Sequence, residues 1–134
     1  MNYTLDTSAL LAYLLDEPGS DDVADILLQA DKGKAEVFVS FMTSMELLYR
    51  VWRLSGERQA KRAYLTLRSL PVNEVGESEG ILFEAAKLKA QHPISVADAW
   101  IAGTALVTGT ILLHKDPELE PLDGVIVTKA LPYK

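Results

Sequence analysis

The stretch that decides the fold of this chain is residues 3–11, YTLDTSALL. Its first three residues are apolar enough for a short buried strand, which we predict over residues 2–6. Apolar residues then return at helical spacing, and a Pro-Gly pair follows, so a helix is predicted from Ser8 to Asp16. Asp6 stands at the junction, where the strand ends and the chain turns into the helix.

The rest of the chain repeats this alternation of strand and helix. Further helices are predicted from Ser20 to Ala30, from Ser44 to Leu54, again after a break at Ser55-Gly56 through the basic stretch to Leu70, from Glu77 to Ala90 and from Ser95 to Thr108. Further strands are predicted at residues 37–41, 71–75, 110–114 and 125–127. Strands separated by helices pair in parallel and are covered on both faces, so we predict an α/β fold, a three-layer sandwich with a central parallel sheet.

The composition excludes several classes of protein. The 134 residues suit one domain, residues 1–134, with one core. No apolar run reaches the roughly 20 residues that cross a bilayer, and Asp6 interrupts the opening where a signal peptide needs an uncharged stretch. We therefore expect a cytoplasmic protein with no membrane partner. The absence of cysteine leaves only oxygen ligands, His92 and His114 for a metal.

The charge is negative overall but unevenly distributed. A net charge of −6 and a pI near 4.8 argue against binding nucleic acid through bulk positive charge. Between residues 50 and 68, however, six cationic side chains accompany one acid. These cations either lie in water on two helical faces or attract a nucleic acid. The candidates for the second role are Arg58, Lys61 and Arg62.

Four acids are expected at one edge of the predicted sheet. Asp6 and Asp116 follow the first and fourth predicted strands, and ligands of open parallel sheets bind at those carboxyl ends. Glu46 lies in the first turn of the helix after residues 37–41, which begins at the same edge. Asp98 lies in the first turn of a helix that runs antiparallel to the strands and also begins there.

Each of these acids also has a purely structural interpretation. Thr43-Ser44-Met45-Glu46 and Ser95-Val96-Ala97-Asp98 both fit the capping box, in which a hydroxyl and an acid satisfy the free amides of a helix start. Asp116-Pro117 is an ordinary way to begin a turn. The capping interpretation treats the acids as unrelated, whereas the predicted topology places all four on one rim.

Electrostatic repulsion favours a metal site. Two charges about 4 Å apart repel by roughly 4 kcal/mol at an effective dielectric near 20, so four converging carboxylates need a cation. Oxygen ligands alone favour Mg²⁺ or Mn²⁺. We predict Asp6, Asp98 and Asp116 as metal ligands, with Glu46 as a possible fourth, in a site suited to attack on a phosphodiester. Thr7 and Ser8 can orient Asp6 or a metal-bound water.

Four segments together give the chain a family resemblance. LDTSALLAYL, FVSFMTSMELLYRV, SVADAWIAGTAL and LLHKDPEL resemble, in order and spacing, the PIN-domain family and within it the VapC-type toxin ribonucleases. The resemblance implies a PIN-like α/β sandwich and a Mg²⁺- or Mn²⁺-dependent endoribonuclease that hydrolyses RNA phosphodiester bonds. It also implies a homodimer, an RNA substrate and a small antitoxin protein as partner.

Matched residue by residue, Asp6, Glu46 and Asp98 correspond to the first three acids of the family and Asp116 to its more variable fourth. The family often has threonine where this chain has His114, which leaves Glu118 as a substitute for Asp116. We interpret His114 itself as a packing or surface residue.

Other functions remain open on the sequence alone. A PIN nuclease with a housekeeping task in RNA processing has the same residues as a toxin. A non-catalytic PIN-like interaction module would use the acids only as caps. Phosphoryl-transfer proteins of haloacid-dehalogenase or receiver type also end their first strand in aspartate, but the first would want an acid at Ser8 and the second paired acids before the first helix.

Overall fold

The core of the protein is a sheet of five parallel strands. The computed structural model describes residues 1–134 and places the strands in the order β3-β2-β1-β4-β5. They are β1 Tyr3–Leu5, β2 Val37–Ser40, β3 Asn73–Val75, β4 Ile111–His114 and β5 Thr128–Ala130. Leu5 pairs with Leu113 and Ser40 with Val75, so the carboxyl ends of the strands meet at one edge. The predicted parallel sheet is confirmed.

Six α-helices connect the strands. They are α1 Thr7–Leu14, α2 Ser20–Asp31, α3 Phe41–Ser55, α4 Glu57–Ser69, α5 Glu79–Gln91 and α6 Val96–Thr108. A 3₁₀ helix, Pro117–Leu122, follows β4. None of these helices combines the length and the apolar character needed to span a membrane.

Helices cover both faces of the sheet. Consecutive strand residues point to opposite faces, and in β4 Leu113 packs in the core under α1 and α2, whereas Leu112 packs in the core under α5 and α6. Helices α3 and α4 form a hairpin that packs on α1 through Leu10, Leu47 and Val51. The predicted three-layer arrangement is therefore confirmed.

Helix α3 begins earlier than the sequence predicts. Ser40 rather than Thr43 is its N-cap, and the Ser40 hydroxyl accepts the Met42 N–H at 3.1 Å. The aromatic and β-branched run predicted a strand through residue 41, but the cap at Ser40 ends the strand there and begins the helix at Phe41. Glu46 consequently lies in the second turn of α3, and no capping box forms at Thr43.

The last strand lies later than predicted. Residues 125–127 are β-branched, but Val125 and Val127 are exposed and Ile126 packs in the core of the α5–α6 face. The edge strand instead covers Thr128–Ala130, which pairs with Leu112–His114 of β4. Burial of Ile126 and of Leu131 beyond the strand fixes this path, whereas β-propensity alone favoured the three residues before it.

Candidate metal centre

Asp6 lies at the carboxyl end of β1 and caps α1. Its N–H donates to the Leu113 carbonyl at 2.9 Å, and its Oδ2 accepts the Ser8 N–H at 3.0 Å together with the Ser8 hydroxyl. The residue is only 3% exposed, and Oδ1 has no hydrogen-bond partner. Buried carboxylate oxygens are normally hydrogen-bonded, so Oδ1 is the atom of Asp6 that is free to bind a ligand.

Ser8 joins two strand ends. Its Oγ donates to Asp6 and accepts the Lys115 N–H at 2.8 Å. Lys115 directly follows β4 and precedes Asp116. This one hydroxyl therefore ties the Asp6 carboxylate to the segment that carries Asp116.

Glu46 is buried in α3 and already has partners for both carboxylate oxygens. Its Oε1 accepts the Thr7 hydroxyl at 2.7 Å, and its Oε2 lies 3.3 Å from Arg50 Nη2. Thr7 thus orients Glu46 and not Asp6. Arg50 is a site residue that the motifs did not predict, although its position four residues after Glu46 on one helix is a visible signal for an ion pair.

Asp98 lies in the first turn of α6 and is 5% exposed. Ser95 caps the helix by accepting the Asp98 N–H at 3.1 Å. The reciprocal bond of a capping box, from the Ser95 N–H to the Asp98 carboxylate, does not form. Capping therefore accounts for Ser95 but not for the buried carboxylate.

Asp116 and Glu118 complete the group of acids. Asp116 Oδ1 accepts the Glu118 N–H at 2.9 Å and so caps the 3₁₀ helix. Carboxylate oxygens of Asp98, Asp116 and Glu118 lie within 4.8 Å of one another. We call these three residues the acidic triad. Glu118, predicted only as a substitute for Asp116, lies beside it.

The pKa shifts indicate that four of the acids lie close together. We call Asp6, Glu46, Asp98 and Asp116 the basin. The pKa of Asp98 is raised to about 7, chiefly by burial and also by the charges of Asp6, Asp116 and Glu46, while a hydrogen bond with Ser95 opposes the rise. Burial also raises the pKa of Asp6 although Ser8 opposes the shift, and Glu46 and Asp116 again add to it. The structure therefore brings Asp6, Glu46, Asp98 and Asp116 close enough to repel one another.

This set of donors fits a hard divalent cation. All the available ligand atoms are carboxylate oxygens, the kind that Mg²⁺ and Mn²⁺ prefer. The free Oδ1 of Asp6 and the acidic triad supply them without breaking an existing side-chain bond of Glu46.

The predicted RNA-binding cations lie away from the acids. Arg62 is beside Leu14 and Leu15, at the opposite end of α1 from Asp6. Eight helical residues separate these ends, which corresponds to about 12 Å. Arg58 and Lys61 occupy the same exposed half of α4, and Lys61 pairs with Glu57 at 2.6 Å. The structure does not bring these three side chains into the basin.

The sequence of this chain matches a known protein family. The model of the PIN domain family matches residues 3–125. No individually curated protein sequence matches the chain.

Several solved structures have the same fold over nearly their whole length. A chain of the VapBC2 complex of Rickettsia felis, solved with a DNA fragment of its promoter, is 17% identical with a TM-score of 0.78, covering 98% of this chain and 100% of the other. VapBC-1 of nontypeable Haemophilus influenzae is 25% identical with a TM-score of 0.68, covering 97% and 98%. VapC20 of Mycobacterium tuberculosis, described as a sarcin–ricin loop cleaving toxin, is 18% identical with a TM-score of 0.72, covering 97% and 99%.

Proposed function

This chain belongs to the PIN domain family, and from that membership we propose that it is a metal-dependent endoribonuclease, the toxin of a type II toxin–antitoxin pair. The observation that carries the proposal is the convergence of the acidic triad, together with the buried Asp6, which has a free Oδ1 and whose charge acts on Asp98. Helix caps alone do not require neighbouring carboxylates whose charges raise the pKa values of Asp6 and Asp98.

The residues of the basin have distinct tasks in this proposal. Asp6, Asp98 and Asp116 hold Mg²⁺ or Mn²⁺, with Glu118 beside them. When bound, such a cation lowers the pKa of a water, orients the scissile phosphate and offsets charge on the leaving oxygen. Ser8 keeps Asp6 in place by its hydrogen bond. Glu46, held by Thr7 and Arg50, acts at the edge of the basin, and its negative charge adds to the attraction for the cation.

Hydrolysis of RNA by attack of water on phosphorus is the reaction that suits this basin. The phosphorus–oxygen bond to the leaving nucleotide breaks as the bond to the water oxygen forms. The choice of RNA is supported by the likeness to VapC20, which cleaves the sarcin–ricin loop. An antitoxin partner is supported by the likeness to VapBC complexes. A homodimer is proposed from the family resemblance alone.

A metal titration tests the proposed function. Mg²⁺ and Mn²⁺ are titrated against wild type and Asp98→Asn, and melting temperature and cleavage of a mixed RNA pool are followed together. A ligand that binds only the folded state stabilises it by about 2.7 kcal/mol at a hundredfold excess over its Kd. We expect both the metal-induced shift and the cleavage in wild type, and the loss of both in a folded Asp98→Asn protein.

Asp25→Asn is the matched control, because Asp25 is exposed on α2 and bonds only Gln29. It should behave as wild type. If wild type responds to neither cation and cuts no RNA, the acids are caps and the chain is an interaction module. A small upstream reading frame that encodes a DNA-binding antitoxin favours the toxin over a housekeeping nuclease.

A further inference from the structure

His114 is buried beside the basin, and its side chain has no role in the metal site proposed above. We propose that it is a positioning residue, whose ring fixes the turn that carries Asp116 and Glu118 to Asp98. This role rests on the proposed function, because it acts through the acids that hold the cation.

The hydrogen bonds of the ring identify its role. His114 is 1% exposed, and its Nδ1 accepts the Asp116 N–H at 3.2 Å. A ring nitrogen that accepts an N–H carries no proton, so the proton of this imidazole is on Nε2. Nε2 is buried without a hydrogen-bond partner. Burial of such a donor is unfavourable, and an apolar side chain would fill the space without that cost, so packing alone does not explain a histidine here.

The backbone that carries the ring is held on the sheet. The His114 carbonyl accepts the Leu131 N–H at 2.7 Å, and His114 pairs with Ala130 in the register of β4 and β5. A buried ring on this fixed backbone can therefore impose its geometry on the chain that leaves β4.

Two consecutive bonds then transmit this geometry to the triad. The ring holds the Asp116 amide, and Asp116 Oδ1 holds the Glu118 amide at 2.9 Å. Both carboxylates emerge from this turn with oxygens within 4.8 Å of Asp98. Loss of the first bond should loosen the turn and so weaken the cation site, even though His114 touches no cation.

Two substitutions separate the acceptor from the bulk of the ring. His114→Asn keeps an acceptor atom close to the position of Nδ1, and His114→Leu keeps most of the volume without an acceptor. The probe is Mn²⁺ alone, with its affinity measured by titration followed by electron paramagnetic resonance. We expect His114→Leu to bind Mn²⁺ about tenfold or more weakly, the range usual for residues that orient metal ligands. His114→Asn should remain within about threefold of wild type on the same reasoning.

The tautomer provides a second readout that does not depend on the cation. Nitrogen-15 spectra of metal-free wild type should show an unprotonated Nδ1 and a protonated Nε2. A protonated Nδ1 overturns the proposal, and this measurement decides if His114→Leu does not fold. Equal Mn²⁺ affinity in folded His114→Leu and wild type also overturns it, as does equal weakening in both variants. Failure of wild type to bind Mn²⁺ at all refutes the proposed function instead.

Discussion

Asp6 and Glu46 are both buried acids of the basin, but their carboxylates differ in the number of hydrogen-bond partners. Glu46 has a partner for each carboxylate oxygen, one from Thr7 and one from Arg50. Asp6 uses one oxygen for Ser8 and leaves the other free. A carboxylate that keeps a free oxygen in a buried place is the better ligand, so Asp6 is the stronger candidate for direct coordination.

Stability of the metal-free protein should fall as pH rises, because of Asp98. Its pKa is about 7 in the folded protein against an ordinary value of 3.8. A raised pKa means that the folded state binds the proton more tightly, so the stabilisation is present below the ordinary pKa and is lost as pH rises through about 7. Urea denaturation in the presence of a chelator, from about pH 5 to pH 8, measures this loss.

Asp98→Asn should remove the contribution of Asp98 to this profile and leave that of Asp6, whose pKa is also raised by burial. Saturating Mg²⁺ should oppose the wild-type slope, since the cation binds the deprotonated carboxylate. A metal-free wild type that becomes more stable between about pH 5 and pH 8 would contradict the assignment of Asp98.

The contribution of Thr7 to the stability of the protein should come from its hydroxyl and not from its shape. Thr7→Val keeps the shape but leaves Glu46 Oε1 without its 2.7 Å bond, and an unpaired buried acceptor costs about 1–3 kcal/mol. Thr7→Ser restores the donor and should recover most of the loss. Free energies of unfolding from urea titrations give both values, and equal stability of the Val and Ser variants would show that the bond is unimportant.

Among the elements, helices α5 and α6 depend on one close contact. A Cβ at Gly103 of α6 would lie 3.1 Å from the backbone N and 3.2 Å from the Cβ of Ala85 in α5. Both neighbours belong to the fixed part of a helix, so a larger residue must push the two helices apart. Glycine at position 103 thus permits the close approach of α5 and α6.

Gly103→Ala should therefore destabilise the protein despite better helix propensity. Overpacking costs about 1–3 kcal/mol and the propensity gain returns up to about 1, which leaves a net loss of about 1 kcal/mol. Gly80→Ala is the matched control, because a Cβ at Gly80 of α5 meets nothing within 4 Å. It should be neutral or stabilising in thermal unfolding. A Gly103→Ala protein as stable as the Gly80 variant would show that α5 and α6 adjust freely.

On the scale of the whole molecule, charge is divided between two regions. The acids converge at the carboxyl edge of the sheet, and the exposed cations Arg58, Lys61 and Arg62 lie on the far half of the α3–α4 hairpin. An RNA bound at both regions would be held by the cations and cut at the acids, so binding and chemistry should be separable.

Alanine at Arg58, Lys61 and Arg62 should reduce the salt dependence of RNA binding without slowing cleavage of bound RNA. Three lost phosphate contacts lower the slope of log K against log salt by about 2 for a single strand, and the ion pair of Lys61 makes this an upper value. Binding isotherms at several salt concentrations and single-turnover cleavage at saturating RNA measure the two effects.

Alanine at the exposed Lys32 and Lys34, in the turn before β2, is the control with a similar loss of charge. An unchanged slope in the triple variant would remove these cations from the RNA-binding surface.

Much of the architecture was predictable because it follows from local patterns. The alternation of strands and helices, the parallel sheet and the position of Asp6 at a strand end all follow from apolar periodicity and from the chirality of βαβ units. The two largest errors in boundaries, at Phe41 and at Thr128, arose where a cap or a buried side chain overrode propensity.

Residue patterns along the chain were enough to predict the α/β fold and the sheet edge for the four acids, because parallel strand direction and helix direction fix which residues reach the carboxyl ends. How these acids differ from one another depends on the folded structure. In the folded chain Thr7 donates a hydrogen bond to Glu46, and one oxygen of Asp6 has no partner. Glu118 lies in the triad, and the ring of His114 accepts the Asp116 N–H. The physical reason is that hydrogen bonds depend on distances of a few tenths of an ångström, which the packing of the whole chain sets even for close neighbours such as His114 and Asp116, and no local pattern encodes these distances.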